Sequence, residues 1–284
     1  MSSILTNSSA MVALATLNNV NMKLNDTQNR VSTGLQISSG KDNAAYFAIS
    51  ETMKGDSGMY ESINDGLTST KNSIATARLG AETVSDLAEQ FTERVAFAQG
   101  NGVNLGDVQS ELDSLVTQIG LAIGQSTFNG DDLVSGAAAT VTVVSGVSRS
   151  GGTFAATTLS FSSVDLGAIQ TALGNIDLEN LDTGGTDTAV PDTLTEALTM
   201  AETQLGAAIA AATSLGVSEK TIEGQQSFLS SLTDTIDSGI SSMVDADMES
   251  EAARLQALQV QQQLATQSLS MANQAPQNIM SLFR

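Results

Sequence analysis

Apolar side chains recur every seven residues over much of this chain. Between residues 67 and 98, one register carries Leu67, Ile74, Ala81, Ala88 and Val95. The register three residues on carries Thr70, Ala77, Val84, Phe91 and Ala98, and only Thr70 breaks the apolar pattern. A sustained seven-residue repeat keeps one stripe turned toward a partner helix as the two wind around each other, so the pattern predicts a coiled-coil seam. A shorter helix over 105–126 repeats it with Leu105, Leu112 and Ile119, and with Val108, Leu115 and Ala122. The longest run lies toward the C-terminus, where Leu194, Ala201, Ala208, Leu215, Ile222, Leu229, Ile236 and Met243 follow at sevens without a polar break. At 1.5 Å per residue this predicts a helix of roughly 75 Å. Such a helix cannot bury its stripe against itself, and segments 57–98 and 105–126 are its natural neighbours.

The two ends are helical in pattern but thinner. Leu14, Leu17, Leu24, Val31 and Leu35 form an N-terminal stripe. Leu255, Leu258, Ala265, Leu269 and Ala272 form a C-terminal one, predicted to end near Pro276. Leu264, Leu282 and Phe283 complete the apolar set at that end. Asn, Gln, Ser and Thr fill the remaining positions. Either end alone buries too little to offset about 1–2 kcal/mol of backbone entropy per ordered residue. Both ends are therefore expected to be disordered in a free subunit and to fold on assembly.

Residues 137–190 lose the heptad and gain Gly, Thr and Val. Ala139–Val144 and Thr157–Phe161 are β-branched runs separated by a Gly-rich turn at Ser150–Thr153, which predicts a β-hairpin. A short helix around Ser163–Leu173 follows, and the loop 182–192 returns the chain to helix with Asp192 or Thr193 as N-cap. The expected fold is mainly α: an elongated helical rod with paired terminal helices at one pole and a small β-containing insert.

Composition sharpens this picture. Aromatic residues make up only 4% of the chain, with no Trp and two Pro, which suits long helices with thin seams better than a thick globular core. The formal net charge is −20. Beyond residue 100 only Arg149, Lys220, Arg254 and Arg284 face the acidic side chains. Phosphate binding needs a basic stripe, so nucleic acid and anionic membrane surfaces are not expected partners. The stretch Leu205–Val217 is the most apolar long window, but Thr213 and Ser214 interrupt it and it is too short to span a bilayer. Met11–Leu17 lacks a preceding basic region, so no cleavable signal peptide is read.

Candidate chemistry is sparse. The chain has no His and no Cys. That removes histidine-based triads, the usual general base, thiol nucleophiles and zinc-thiolate sites. No cofactor, metal site or catalytic residue is predicted. Asp245-Ala-Asp247-Met-Glu249 resembles the start of a calcium loop but lacks its turn glycine and properly spaced distal Glu. A capped acidic start to the C-terminal helix is the better reading. Asn7 and Asn25 match glycosylation sequons, yet a sugar at either would obstruct helix packing, and chance explains both.

Two stretches carry a family resemblance. Arg30-Val-Ser-Thr-Gly-Leu-Gln-Ile-Ser-Ser-Gly-Lys-Asp-Asn-Ala-Ala-Tyr-Phe-Ala-Ile-Ser-Glu51 resembles the N-terminal signature of flagellins. Ala272-Asn-Gln-Ala-Pro-Gln-Asn-Ile-Met-Ser-Leu-Phe-Arg284 resembles the family's C-terminus, and Ser126-Thr-Phe-Asn-Gly130 with Leu133 its turn before the variable region. The opening and the small insert look most like flagellins of alphaproteobacteria. The resemblance implies a structural, non-enzymatic subunit that polymerises into the secreted, extracellular filament used for swimming. Residues 1–45 and 245–284 would form an inner tube, 46–136 and 191–244 a helical rod domain, and 137–190 the outward variable insert. Implied partners are other copies of the chain, the type III export apparatus, a flagellin chaperone, the filament cap and hook-associated proteins.

The polymerising set implied for the inner tube is Leu14, Leu17, Leu24, Val31, Leu35, Leu255, Leu258, Leu264, Leu269, Leu282 and Phe283. The rod seam would use Leu67, Ile74, Val84, Phe91, Val95, Leu112, Leu115, Ile119, Leu215, Ile222, Leu229 and Ile236. Many flagellins also carry an Arg-rich innate-receptor motif on the first long helix. Here Gln90–Gln99 resembles it in degenerate form, with Thr92 and Ala96 replacing key residues and Glu111 retained, which implies weak Toll-like receptor 5 activation. Two other readings compete. A hook–filament junction protein shares the terminal helices but usually departs from the Gln277–Arg284 ending. A metallopeptidase in the insert would need histidines that this chain lacks.

Overall fold

The computed structural model describes residues 7–150, 153–181 and 191–281. In chain order these form α1 (Ser8–Thr33), α2 (Ala44–Ala98), α3 (Leu105–Gln125), β1 (Thr140–Ser150), β2 (Thr153–Ser162), α4 (Leu166–Gly174), α5 (Leu194–Val244) and α6 (Met248–Ser281). The chain divides into two compact units. The first holds Met1–Ser57 and Asp234–Arg284, and the second Gly58–Thr233, so α2 and α5 contribute to both.

In the second unit the heptad residues form the core. Leu67, Ile74, Val84, Phe91 and Val95 of α2 are buried, with Leu112, Leu115 and Ile119 of α3 and Leu215, Ile222 and Leu229 of α5. Polar contacts along α2 and α5 set an antiparallel register. The Gln226 amide donates to the Thr68 hydroxyl at 2.7 Å, Lys71 pairs with Glu223 at 3.5 Å, and the Arg78 Nε donates to Glu219 at 2.8 Å. Glu219, and then Glu82, hold the Arg78 guanidinium even more firmly protonated than usual. Ile236, placed in this seam by its spacing, lies instead in the first unit and is half-buried. The same helix continues across the division, so heptad spacing alone does not say which unit a position serves.

Caps explain where the helices begin. The Asn43 Oδ1 accepts from the Ala45 and Tyr46 N–H groups at 3.1 and 3.3 Å, starting α2 well before residue 57. Thr193 caps α5 by accepting from the Glu196 N–H at 3.2 Å, while the Glu196 carboxylate reaches back to the Asp192 N–H. The exchange resembles a capping box, with the return bond displaced to the residue before the cap. The remainder of the loop 182–192, residues 182–190, lies outside the described residues. The helix expected to end near Pro276 runs on to Ser281. A proline inside a helix costs about 3 kcal/mol and weakens that stretch without ending it.

The insert is a two-stranded antiparallel hairpin with Val141 opposite Phe161 and Val143 opposite Leu159. Its register shifts between Val144 and Gly146, leaving Ser145 in a bulge. The bulge frees the Ser145 carbonyl, which accepts from the Gln225 amide at 2.8 Å, and the Tyr60 hydroxyl donates to the Val147 carbonyl at 3.1 Å. Two side chains from α5 and α2 thus moor β1. The glycines between the strands, 151 and 152, lie outside the described residues. Helix α4 starts at Asp165, whose carboxylate accepts from the Ala168 N–H at 2.8 Å, and buries Leu166, Ile169 and Leu173 in the core.

The turn leading into the insert has a local physical reason. Asn129 and Gly130 both have positive φ, 51° and 87°, and the Phe128 and Asp131 backbones bond each other in both directions. Only Asn and Gly enter this region at low cost, so the Asn-Gly pair specifies a tight reversal. Just before it, the Ser126 hydroxyl donates to the Ala122 carbonyl at 2.5 Å, ending α3 against α2. A Cβ added at Gly80 of α2 would overlap the Ser126 side chain. Gly80→Ala should therefore destabilise the second unit by about 1–3 kcal/mol despite its better helix propensity. Thermal unfolding of that variant and of Gly80→Ala/Ser126→Gly checks it: the second change should restore most of the loss.

Asp132, at the base of the insert, is bonded by the Ser135 hydroxyl and by the Val134 and Ser135 N–H groups, which hold its carboxyl below the usual carboxylate range. A lowered folded-state pKa stabilises in full above the unfolded value of about 3.9, and that stabilisation fades as pH falls through the lower folded value. The gap in Tm between the wild type and Asp132→Asn should accordingly shrink as pH falls from about 5 to 2.

Candidate functional site

The site is built in the first unit, where α1 and α6 pack against each other along their length. The two ends, whose thin apolar stripes predict helix gained on assembly, form α1 and α6, and each helix covers part of the other. Polar side chains set the register of the pair. The Asn7 amide donates to the Ala272 carbonyl at 2.8 Å, Gln262 donates to the Asn21 side chain at 2.7 Å, and Arg30 pairs with Glu251 at 3.4 Å. Asn7 also caps α1, accepting from the Ala10 N–H at 3.1 Å, so its amide is occupied by packing on both sides. The Glu251 carboxylate is largely buried, and its Oε2 has no hydrogen-bond partner among the described residues.

Two short connectors lock this pair to the neighbouring ends of α2 and α5. Helix α1 stops at Gly34, whose φ of 73° is left-handed and whose N–H bonds the Arg30 carbonyl at 2.8 Å. Leu35 is thereby outside the helix whose stripe its spacing continues, and it bridges Asp245 by backbone pairing instead. The Gln36 N–H bonds the Val244 carbonyl at 2.7 Å and the Ala246 N–H bonds the Gly34 carbonyl at 2.8 Å. Asp247 starts α6 by accepting from the Glu249 and Ser250 N–H groups at 3.1 and 3.3 Å, so the calcium-loop lookalike is a helix cap. Asp42 gathers the backbone and hydroxyl groups of Ser38 and Ser39, which depresses its carboxyl pKa.

Most apolar residues of the pair fall on one of two faces, while the exposed Val12 and Met248 lie between them, about 80° from Val20 and Leu258. On α1, Val20 is buried and Leu17, Leu24 and Val31 are half-buried; on α6, Leu258 is 5% exposed, and Leu255 and Leu269 are half-buried. These named stripes are the seam that closes the pair on itself. Leu14, on the N-terminal stripe, and Leu264, named with the polymerising set, are exposed. Leu282 and Phe283 lie outside the described residues. A second set turns away: Met11 is 66% exposed, Met22 57%, Val260 55%, Leu264 59% and Met271 61%. At 100° per residue these lie between about 120° and 180° around their helices from Val20 and Leu258. The spacings are 11–22 on α1 and 260–264–271 on α6, both multiples of the helical repeat. Leucine positions point to only one of these five, Leu264, because methionine and valine carry most of the second stripe.

The innate-receptor-like stretch lies in the second unit. The half-buried Thr92 donates its hydroxyl to the Ala88 carbonyl at 2.8 Å, Ala96 is exposed, and Glu111 pairs across to Arg94 at 3.2 Å. Thr92 thus spends its polar group within its own helix and offers no cation outward.

A helical pair with a polar, thinly buried seam and a second apolar face matches known proteins at both ends of the chain. Residues 4–139 match the bacterial flagellin N-terminal helical region, and residues 194–283 match the bacterial flagellin C-terminal helical region. A flagellin of Brucella melitensis is 37% identical over the whole of both chains. The chain belongs to the bacterial flagellin family. Flagellin FljM of Caulobacter vibrioides is 34% identical over all of this chain and 99% of its own length, and Flagellin C of Rhizobium meliloti 32% identical over the full length of both. As a flagellin the chain is a structural subunit of the flagellar filament. These relatives are named flagellin and not hook-associated protein, which favours the filament subunit over the junction protein. Flagellin homologues form the extracellular filament. No helix among the described residues is long and apolar enough to cross a membrane.

Proposed function

We propose that the chain polymerises chiefly through the outward stripe of the α1–α6 pair, with other copies of itself covering Met11, Met22, Val260, Leu264 and Met271. The observation that supports this reading is the pair of opposed stripes: one closes the helices on each other and the other is left in water. Leu17, Leu24, Val31, Leu255, Leu258 and Leu269 act one step earlier, by holding the pair in the shape that neighbours recognise. Segments 1–45 and 245–284 serve as the inner tube, 46–136 and 191–244 as the rod domain, and 137–190 as the surface insert.

Folding is coupled to this assembly. A seam with few buried side chains yields little at about 25 cal/mol per Å² of apolar area against the entropy of ordering two helices. The pair is therefore marginal until neighbours add the second face. Export as an unfolded chain by the type III apparatus, protection by a chaperone and folding under the filament cap next to hook-associated proteins all suit such a segment. The subunit is secreted without enzymatic activity, cofactor, nucleic acid or membrane as part of its role. Hydrogen exchange of the dilute monomer tests the coupling: amides of α1 and α6 should exchange far faster than those of α3 and become protected on seeded polymerisation. Protection already complete in the monomer would refute it.

The degenerate receptor stretch, with Thr92 and Ala96 where other flagellins carry larger or charged groups, should give weak Toll-like receptor 5 activation. A reporter assay with the purified monomer measures this, and a response equal to that of a strongly activating flagellin would contradict it.

A further inference from the structure

Methionine is distributed unevenly in this chain. All of its ten methionines except Met59 and Met200 fall in the first unit, which is the smaller of the two. Among the described residues, every methionine counted as exposed belongs to α1 or α6: Met11, Met22, Met248 and Met271. Three of these, Met11, Met22 and Met271, stand on the outward stripe. Leucine would fill the same space with similar helix propensity, so apolarity alone does not require a thioether there.

We propose that Met11, Met22 and Met271 form an oxidation-sensitive site that peroxide modifies in the free subunit, blocking polymerisation. The inference rests on the reading of the outward stripe as the polymerising face. The reagent class is a hydroperoxide, with hydrogen peroxide as the simplest member. The thioether sulfur attacks one peroxide oxygen with its lone pair; the S–O bond forms as the O–O bond breaks. The sulfur is oxidised by two electrons to the sulfoxide, and the other oxygen departs as hydroxide (alkoxide from an organic hydroperoxide), taking up the one proton shed by the sulfur-bound OH to give water (or alcohol). Exposure sets the rate: Met11, Met22 and Met271 are open to solvent, whereas Met200 is only partly exposed. The product is a polar, chiral group in place of a flexible apolar one. On a face that must be dried to bind another copy, each sulfoxide oxygen is a buried acceptor left without a donor. The same packing covers the sulfurs once a filament has formed, so the modification selects against free subunits and spares assembled ones. Methionine sulfoxide reductases of both stereochemical classes would restore the thioethers.

The test uses the full-length chain. Monomer is treated with hydrogen peroxide, the sulfoxides are located by peptide mass spectrometry, and elongation of filament seeds is followed by sedimentation and electron microscopy. Met11, Met22 and Met271 should oxidise before Met200, and the treated monomer should elongate at least about tenfold more slowly. Reductase treatment should restore elongation. The triple variant Met11→Leu/Met22→Leu/Met271→Leu should elongate whether or not it has seen peroxide. Should this variant assemble poorly, preformed wild-type filaments supply the second arm: peroxide should leave these three methionines unmodified there. Elongation unaffected by their sulfoxides, equal peroxide sensitivity in the triple variant, or equal oxidation in filament and monomer would each overturn the inference while the polymerisation reading stands. Untreated monomer that fails to extend seeds would instead sink that reading and this inference with it.

Discussion

Replacing Leu264 and Met271 together with aspartate should abolish elongation of filament seeds while leaving the thermal stability of the second unit unchanged. Both side chains belong to the outward stripe of α6, and neither lies in the second unit. A carboxylate confined in an apolar contact without a partner costs several kcal/mol. In a helical polymer every copy carries the same defect, so the penalty recurs at each contact and no subunit escapes it. Sedimentation after seeding reads the loss, and calorimetry of the monomer reads the unaffected unit. Leu258→Asp makes the contrast, because that residue lies in the inner seam and its replacement should melt the α1–α6 pair itself. Removing residues 1–35 or 255–284 should likewise give a soluble, partly helical, non-polymerising chain, whereas removing most of 140–188 should still permit filaments. If the aspartate variant extends seeds at the wild-type rate, the outward stripe is not the polymerising face.

Phe91→Ala should destabilise the second unit by about 3–5 kcal/mol, and Leu112→Ala by about 2–5 kcal/mol. Phe91 and Leu112 are both fully buried, in the stretch where α2 and α3 share the core with α4 and α5. Truncation there loses the transfer free energy of the removed atoms and leaves a cavity, since helices moored by cross-links such as Arg78–Glu219 cannot close over it. Phe97 lies nearly two turns further along the same helix and is exposed, so Phe97→Ala should change stability by less than about 0.5 kcal/mol. Denaturant unfolding of the three variants measures the difference. Equal effects at Phe91 and Phe97 would mean that the heptad seam is not what holds this unit together.

Much of the helical architecture was legible before any coordinates. The eight-residue ladder from Leu194 to Met243 foretold a helix of about the 51 residues that α5 has, because an unbroken seven-residue stripe has no other stable use. The hairpin followed from β-branched runs flanking a glycine turn. Its bulge at Ser145 did not, because it answers to groups far along the chain: the Gln225 amide on α5 takes the freed carbonyl. The start of α2 was also missed, since Asn43 caps it through a side chain whose role depends on backbone geometry and leaves no periodic signal.

The candidate site divides in the same way. Amino-acid order alone determined which residues share a helix face, because 100° of rotation per residue is a property of the backbone and independent of surroundings. It therefore placed Leu17, Leu24 and Val31 on one line, and Leu255, Leu258 and Leu269 on another. What covers each line was decided only by the tertiary structure. Packing α1 on α6 closed those leucine-rich faces and left Met11, Met22, Val260, Leu264 and Met271 in water. The physical reason is that apolar burial has no direction of its own: a stripe is satisfied equally by a helix of its own chain or by another molecule, and only the path of the chain in space determines which one reaches it first.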